Sequence, residues 1–522
     1  MKTIQVALTL LLAVILTQCS SSTKEIDLLV FNGKIVTVDN QLNIAEGFAV
    51  NDGKIVEVGT KEELLEKYTA VKSLDLKDRY VYPGLIDAHC HFFGYGMNLK
   101  NADLTGTKSF EEIVEILKKH FQQFPSEWIL GRGWDQNDWE INEFPSKEKL
   151  DEAFPDVPVF IRRIDGHGAI ANSEALRRAN ITKETRIQGG DLILNKGELT
   201  GVLIDNAMGL VGMVIPDNSR EEIAIGLLQA QENCFEVGLT AVFDAGLGKG
   251  IIELMDSLHK SGELKIRVNA WISPTEENFE RFMYHGVYET NRLKVCAIKL
   301  FADGALGSRG AKLIDPYSDD PGNSGLLVSD EERLLDLCKL AYKHGYQVNT
   351  HCIGDSANRL MLHIYAGVLK ENNDRRWRIE HSQVIHPDDF QLFGKYSIIP
   401  SIQPTHATSD MYWAIDRLGP ERVKGAYAYK QLLEQIGWIP NGSDFPVEKI
   451  NPLYGFYAAV ARKDLKGFPE GGFQTENALS REEALKAMTI WAAKSGFEET
   501  RFGSLEPGKF ADFIILEEDL MS

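Results

Sequence analysis

The side chains in this sequence best placed for chemistry begin with two histidines one residue apart, His89-Cys90-His91. On a strand, residues i and i+2 face the same side, so both imidazoles converge while Cys90 points away. Imidazole is a borderline ligand suited to zinc, and two converging rings supply half a site. A lone pair of this kind is commonly just polar decoration on a strand. Here it has company, because His351, His381 and Asp444 each close a later apolar run. Lys299 lies inside a further apolar run, Cys296-Ala-Ile-Lys-Leu-Phe-Ala-Asp-Gly304. A buried, unpaired ammonium is costly, so this lysine is expected to be paired, neutralised or modified. One reading is a salt bridge to Asp303 or another acid. The other is a neutral amine that captures carbon dioxide as a carbamate, whose two oxygens bridge two metal ions.

These residues need a scaffold that gathers strand ends. Eight apolar runs finish in polar or reactive residues: YPGLIDAHCH, LTAVFDAG, IRVNAWIS, CAIKLFADG, YQVNTHCIGD, WRIEHSQ, SIIPSIQPTH and WIPNGSDFP. Most are separated by segments of helical character, such as Glu331 to His344 and Arg481 to Lys494. Eight buried strands with intervening helices predict an α/β protein, a (β/α)8 TIM barrel, whose reactive groups collect at the carboxyl ends of the strands. The interval between the first two runs is far longer than a βα unit needs and reads as an insertion, residues 92–236. Trp134, Asp135, Asp165 and His167 fall in it, while Gln403 and His406 end the seventh run. All six are candidates to line a substrate pocket, with Trp134 as an apolar wall. The alternatives are core packing for Trp134 and a structural, hydrogen-bonded role for His167. The remaining histidines, including His120, His259 and His363, fall in helical or loop contexts and read as solvated.

Before the barrel, Asp27 to Leu76 alternates in short strands, with Asn32-Gly33 and Asp52-Gly53 placed as hairpin turns. The run Gly508 to Leu516 is strand-like and is expected to complete the same small β unit. At the N-terminus, Met1-Lys2 precedes an apolar run, Ile4 to Leu16, broken only by Gln5 and Thr9, and Cys19 follows. The run is short for a membrane span and reads as a secretory signal of lipoprotein type, with Cys19 the lipidated residue. The expected domains are therefore 1–18, the signal; 26–80 with 500–522, a small β-sandwich; and 81–499, the hydrolase barrel carrying the insertion.

Composition bounds the partners. The chain has 522 residues, 43% hydrophobic and 25% charged, with 56 Lys and Arg against 76 Asp and Glu, for a net charge of −20. With no basic tract interleaved with aromatics, nucleic acid is excluded as a partner. Beyond Cys19 the cysteines are odd in number, with no close CxxC pair, so no disulfide framework is expected.

The stretches PGLIDAHCH, GRGWDQ, RRIDGHGAIAN, GLTAVFDAG, KLFADGALGSRGA, HCIGDSAN, RIEHSQ, SIQPTHATSDM, NGSDFPVE and GSLEPGKFADFIIL run in order over nearly the whole chain from Ile26 to Leu516. Together they resemble the amidohydrolase superfamily, within it the YtcJ-like group that includes N-substituted formamide deformylases. The resemblance implies that His89 and His91 hold one metal, His351 and His381 a second, and a carboxylated Lys299 bridges them. Asp444 then ligates the first metal and handles the proton of the attacking water. Two Zn2+ per subunit are the default, other divalent metals being compatible. The resemblance also implies a further strand or two after Leu516, and both a natural and a truncated end at Ser522 are compatible with the sequence.

The expected activity is hydrolysis of an amide-type C–N bond in a small N-substituted amide, with Asp444 and Lys299 as the catalytic residues. Ester or lactone hydrolysis on the same site, or metal or solute binding without catalysis, are the competing readings. A small amide is the expected partner, a lipid anchor the only expected link to a membrane, and self-assembly is compatible with the sequence. The expected location is the exported, membrane-anchored side of a bacterial envelope.

Overall fold

A computed structural model describes residues 23–522. The signal run and Cys19 lie outside the described residues. Among the described residues no helix is long and apolar enough to cross a membrane. Two compact units are present, one running up to Pro83 and returning over Ser504–Asp519, the other spanning Gly84–Gly503 with residues 520–522.

The smaller unit is built from two four-stranded sheets. One places Lys54–Gly59, Gly47–Asn51, Lys24–Phe31 and Tyr68–Asp75 side by side, and the other Phe513–Leu516, Tyr80–Pro83, Lys34–Val36 and Ile44–Ala45. Strand alternation explains why neighbouring residues of Lys24–Phe31 enter different cores. Val30 packs with Ile35, Phe48 and Val81, while Leu29 packs with Ala49 and with Leu64 of helix Lys61–Lys67. Asp52 and Gly53, at φ of 50° and 69°, form the expected tight turn of a hairpin. Asn32-Gly33 does not. The strands on either side of it belong to different sheets, and the Gly33 amide bonds to the Glu46 carbonyl, so the pair makes a corner between sheets. The C-terminal strand joins the second of these sheets, antiparallel to Tyr80–Pro83.

The larger unit holds the barrel. Parallel strands follow one another in chain order: Leu85–Cys90, Leu239–Leu247, Arg267–Ile272, Leu293–Phe301, Gln347–Cys352, Arg378–His381 and Ile399–Ser401. The eighth run, expected as a strand, is an extended segment instead. Pro440 has no amide to donate, and Asp444 is left-handed at φ 62°. A Cβ at Gly442 would collide with the His89 backbone nitrogen, so only glycine fits there. The segment still closes the ring. Ile402 and Gly442 amides bond across to the carbonyls of Pro440 and Ile402, while Ala88 and Asp444 amides bond to the carbonyls of Asn441 and His89.

The expected helix after the fourth strand forms as Glu331–Lys343, capped by the Asp330 carboxylate on the Arg333 amide. Arg481 to Lys494 is two helices, Arg481–Ala487 and Ile490–Ser495, broken where Thr489 leaves helical geometry.

Between the first two barrel strands the chain builds a six-stranded mixed sheet, in the order Gly190–Asn195, Glu198–Asp205, Gly168–Ala171, Val159–Arg163, Ile129–Trp134 and Ala102–Asp103. Both faces are covered. Ile161 and Trp134 pack with Phe110, Ile113 and Leu117 of helix Phe110–Gln123, while Phe160 packs with Leu176 and Val211 on the other side.

Candidate metal centre and substrate cavity

Six strand-end residues expected to act together are brought together. His89 lies on the first strand, and His91 caps the helix Phe92–Asn98 that follows it. Lys299, His351 and His381 come from the fourth, fifth and sixth strands, and Asp444 from the closing segment. His89, His91 and Asp444 offer three ligand atoms within 4.8 Å of one another. Asp444 Oδ1 stands 3.4 Å from His89 Nε2 and 3.3 Å from His91 Nε2. Ring centroids of His381 lie 5.0 Å from His89 and 4.6 Å from His351. Cys90 turns the other way, its thiol facing the Phe243 carbonyl, as alternation predicts.

Lys299 Nζ is buried 3.1 Å from His89 Nε2. Asp303, offered by the sequence as its counter-ion, accepts instead from the amides of Ile353, Gly354 and Lys312. Among the described residues no carboxylate lies within 4.0 Å of this lysine. Burial lowers it to about 8, with Glu380 and Asp444 pulling the other way, so a neutral amine is within reach near pH 7.

A second layer of charge fixes the tautomers. Glu380 Oε2 lies 2.5 Å from His89 Nδ1, and Arg378 Nε is 2.7 Å from Glu380 Oε1. With its proton held at Nδ1, His89 presents the Nε2 lone pair to Asp444 and Lys299. Burial lowers His89 to about 4 and pushes His351 and His381 well down, so all three are neutral imidazoles, the ligating form. Burial alone would raise Asp444, but the imidazoles of His91, His89 and His381 hold it well below the usual carboxylate range. Asp444 Oδ1 and His381 Nδ1 are buried without a hydrogen bond among the described residues. Buried nitrogen and oxygen atoms without a partner, gathered beside His89 and His91, are what a divalent cation would satisfy, and this nitrogen and oxygen set suits zinc.

His89, Lys299, His351, His381 and Asp444 are all buried, and the last two sit at positive φ, 71° for His381 and 62° for Asp444. A non-glycine residue there is strained, and such strain gathers at functional positions. Ser443 donates to Asp87 through both its amide and its hydroxyl, the latter at 2.6 Å, which ties the closing segment to the first strand.

A cavity of about 150 Å³ is lined by His351, His381 and Asp444 of this set. Asp135, Asp165, His167 and His406 line it, as expected. Trp134 does not. It is fully buried in the inserted sheet's core, and its indole donates to the Ile161 carbonyl at 3.1 Å. Its place at the end of Ile129–Trp134 turns the ring toward helix Phe110–Gln123, while Asp135, one residue on, faces the opening. Gln403 is also absent from the lining. It is buried one position before helix Pro404–Asp410, from which His406 reaches the cavity instead.

The sequence reading missed the groups that hold its own candidates. Arg163 lines the cavity and pairs with both Asp135 and Asp165, while Gln136 accepts from its Nε at 2.8 Å. His167 Nδ1 lies 2.6 Å from Asp205, which raises the imidazole despite its burial. Arg378 and Glu380, opposite charges two residues apart inside an apolar strand, were a readable signal, since neither can be buried alone.

A family model described as "Amidohydrolase family" matches residues 72–522. The protein LONG AFTER FAR-RED 3 of Arabidopsis thaliana is 36% identical over 94% of this chain and 87% of its own length. The N-substituted formamide deformylase of Arthrobacter pascens is 25% identical over 94% of each chain. A crystal structure described as an uncharacterized metal-dependent hydrolase from Pyrococcus horikoshii superposes with a TM-score of 0.78, at 31% identity, over 95% of this chain and 98% of that one.

Proposed function

The chain belongs to the amidohydrolase family and is a metal-dependent hydrolase, and from that premise we propose that it cleaves the C–N bond of a small N-substituted amide. The observation that carries the reading is the meeting of His89, His91 and Asp444 with His351, His381 and Lys299 at the barrel's strand ends. The similarity to a formamide deformylase over 94% of the chain supports the choice of bond.

In this reading His89, His91 and Asp444 would hold one divalent cation and His351 and His381 a second, zinc by default, and Lys299 would carry a carbamate. Its neutral Nζ would form a bond to the carbon of carbon dioxide and lose a proton to solvent, which turns an uncharged amine into an anion with two donor oxygens. Bound cations would acidify water toward neutral pH and polarise the substrate carbonyl.

The rest is done by the chain. Asp444 takes the proton of the attacking water on its carboxylate and delivers it to the leaving nitrogen, for which its ionised state is suited. Glu380 keeps the His89 proton on Nδ1, so that the ring cannot turn its N–H toward the reacting atoms. Arg163 holds Asp135 and Asp165 as one fixed wall of the cavity. Export with a lipid on Cys19 belongs to the same proposal and is supported by the run Ile4 to Leu16 that precedes it.

The deciding experiment is a matched panel of amides, esters and lactones on metal-loaded protein. The reading expects amide turnover to exceed that of the corresponding esters, relative to their uncatalysed rates. Ester or lactone preference would move the assignment to C–O chemistry on the same site.

A further inference from the structure

The cavity carries more negative charge than its own residues neutralise. Among the described residues lining it, Asp135, Asp138, Asp165, Asp410, Asp444 and Glu448 are acids, and Arg163 is the one permanent cation. Arg163 is used by Asp135 and Asp165. Asp444 faces the imidazoles, and Asp138 is exposed to solvent.

Asp410 and Glu448 remain, and their partners are neutral. Tyr427 Oη and Gln383 Nε2 donate to Asp410 at 2.8 Å and 3.3 Å, and Ser409 Oγ donates to Glu448 at 2.6 Å. Among the described residues neither has a lysine, arginine or histidine nitrogen within 4.0 Å. Both are half-buried; loss of solvation pushes Asp410 up to about 7, with Glu448 adding to the rise, and raises Glu448 as well, while His406 pulls each of them down. Neighbouring carboxylates in such a place either share a proton or wait for a cation.

An independent feature points to a ligand here. His406 lines the same cavity, is 9% exposed, and its Nε2 has no hydrogen-bond partner among the described residues. That nitrogen is 3.9 Å from Asp444 Oδ2, so it lies beside the atom proposed to move the proton. An ammonium group carries three N–H donors. Asp410 and Glu448 are acceptors for them, and so is His406 Nε2 when the ring carries its proton on Nδ1, while Leu306, Ile353 and Val447 give the same cavity apolar surface for a short alkyl link.

We propose that this cavity selects amides whose amine portion ends in a second, positively charged amino group, seated by Asp410 and Glu448 with His406 Nε2 completing its hydrogen bonds. The proposal rests on the amide reading above, and names its substrate class. Because His406 stands next to Asp444, the spacer between the scissile nitrogen and the ammonium is short.

The test compares monoacetylated α,ω-diamines of graded spacer length with N-alkylacetamides of equal length, on metal-loaded protein. The expected result is a kcat/KM preference of about tenfold or more for the charged member, strongest at short spacers and reduced by added salt. Glu448→Gln and Asp410→Asn should each cut that charged-to-neutral ratio by about tenfold. Equal rates for the two series in the unmodified protein overturn the proposal with no variant needed, and so does a ratio that neither substitution moves. Calorimetric binding of 1,4-diaminobutane separates the two readings. A diamine that binds, and is lost in Glu448→Gln, while no amide is turned over, removes the amide chemistry and keeps the ammonium seat. Amide turnover without charge preference removes the seat alone. If Glu448→Gln instead releases an equivalent of bound metal, the acids hold an inorganic ion and the proposal fails.

Discussion

The barrel's strand ends and the inserted sheet supply groups to one cavity, and they supply them in opposite states. His381 and Asp444 come from the barrel with a buried nitrogen and a buried oxygen that have no hydrogen-bond partner among the described residues. Asp135 and Asp165 come from the insertion already paired with Arg163, and His167 already bonded to Asp205. A group left unsatisfied at the cost of burial is held in readiness for something absent from the chain itself, whereas a paired group is a wall. The lesson is that reactivity belongs to the barrel and shape to the insertion.

Four substitutions probe that division, in order of their effect on the site. Asp444→Asn removes the proton carrier and weakens a ligand, so turnover should fall by about 10²–10⁴-fold. Near-normal turnover with full metal content would place the proton chemistry elsewhere and break the comparison at its strongest point. Lys299→Ala should lose at least one metal equivalent by elemental analysis, and formate or propionate should restore part of the activity by occupying the vacated bridge. An unmodified Lys299 in the intact mass of active, metal-loaded protein would overturn the carbamate.

Glu380→Gln should weaken metal affinity by about 10–100-fold, because the charge fixing the His89 tautomer is gone. Competition with a chelator measures it, and an unchanged affinity would show that Arg378 and Glu380 serve the fold alone. Trp134→Ala should leave metal content and turnover per folded molecule unchanged while lowering stability by about 3–5 kcal/mol, as a large aromatic lost from a core does. A change in substrate preference without a shift in the denaturation midpoint would return this residue to the cavity wall.

The barrel's site was legible because its signal is local. A strand end followed by a polar residue can be read from a few neighbouring letters, which gathers His89, His91, His351, His381 and Asp444, and Lys299 stands out as a cation inside an apolar run. The inserted sheet offers no such rule. Trp134 and Asp135 are adjacent in sequence, and which of them faces the opening depends on where helix Phe110–Gln123 lies against the sheet. Gln403 stays out of the lining for the same reason, since a helix begins one residue later and carries His406, expected beside it, to the cavity. Asn32-Gly33 has the letters of a hairpin, yet long-range pairing assigns its flanking strands to different sheets. Glu380 is legible only through its pairing, because an acid inside a strand needs Arg378 two residues earlier to be buried at all.

The closing segment of the barrel has a mechanical consequence. Its ends are secured by a few backbone bonds and by Asp87 gripping Ser443, where every other seam of the ring is a ladder of paired residues. Segments with few such bonds open locally at lower free energy than laddered strands, and their amides exchange with solvent sooner. Asp444 rides on that seam, so the carboxylate proposed to carry the proton is mounted on the least laddered part of the ring, while His89, His351 and His381 stand on laddered strands.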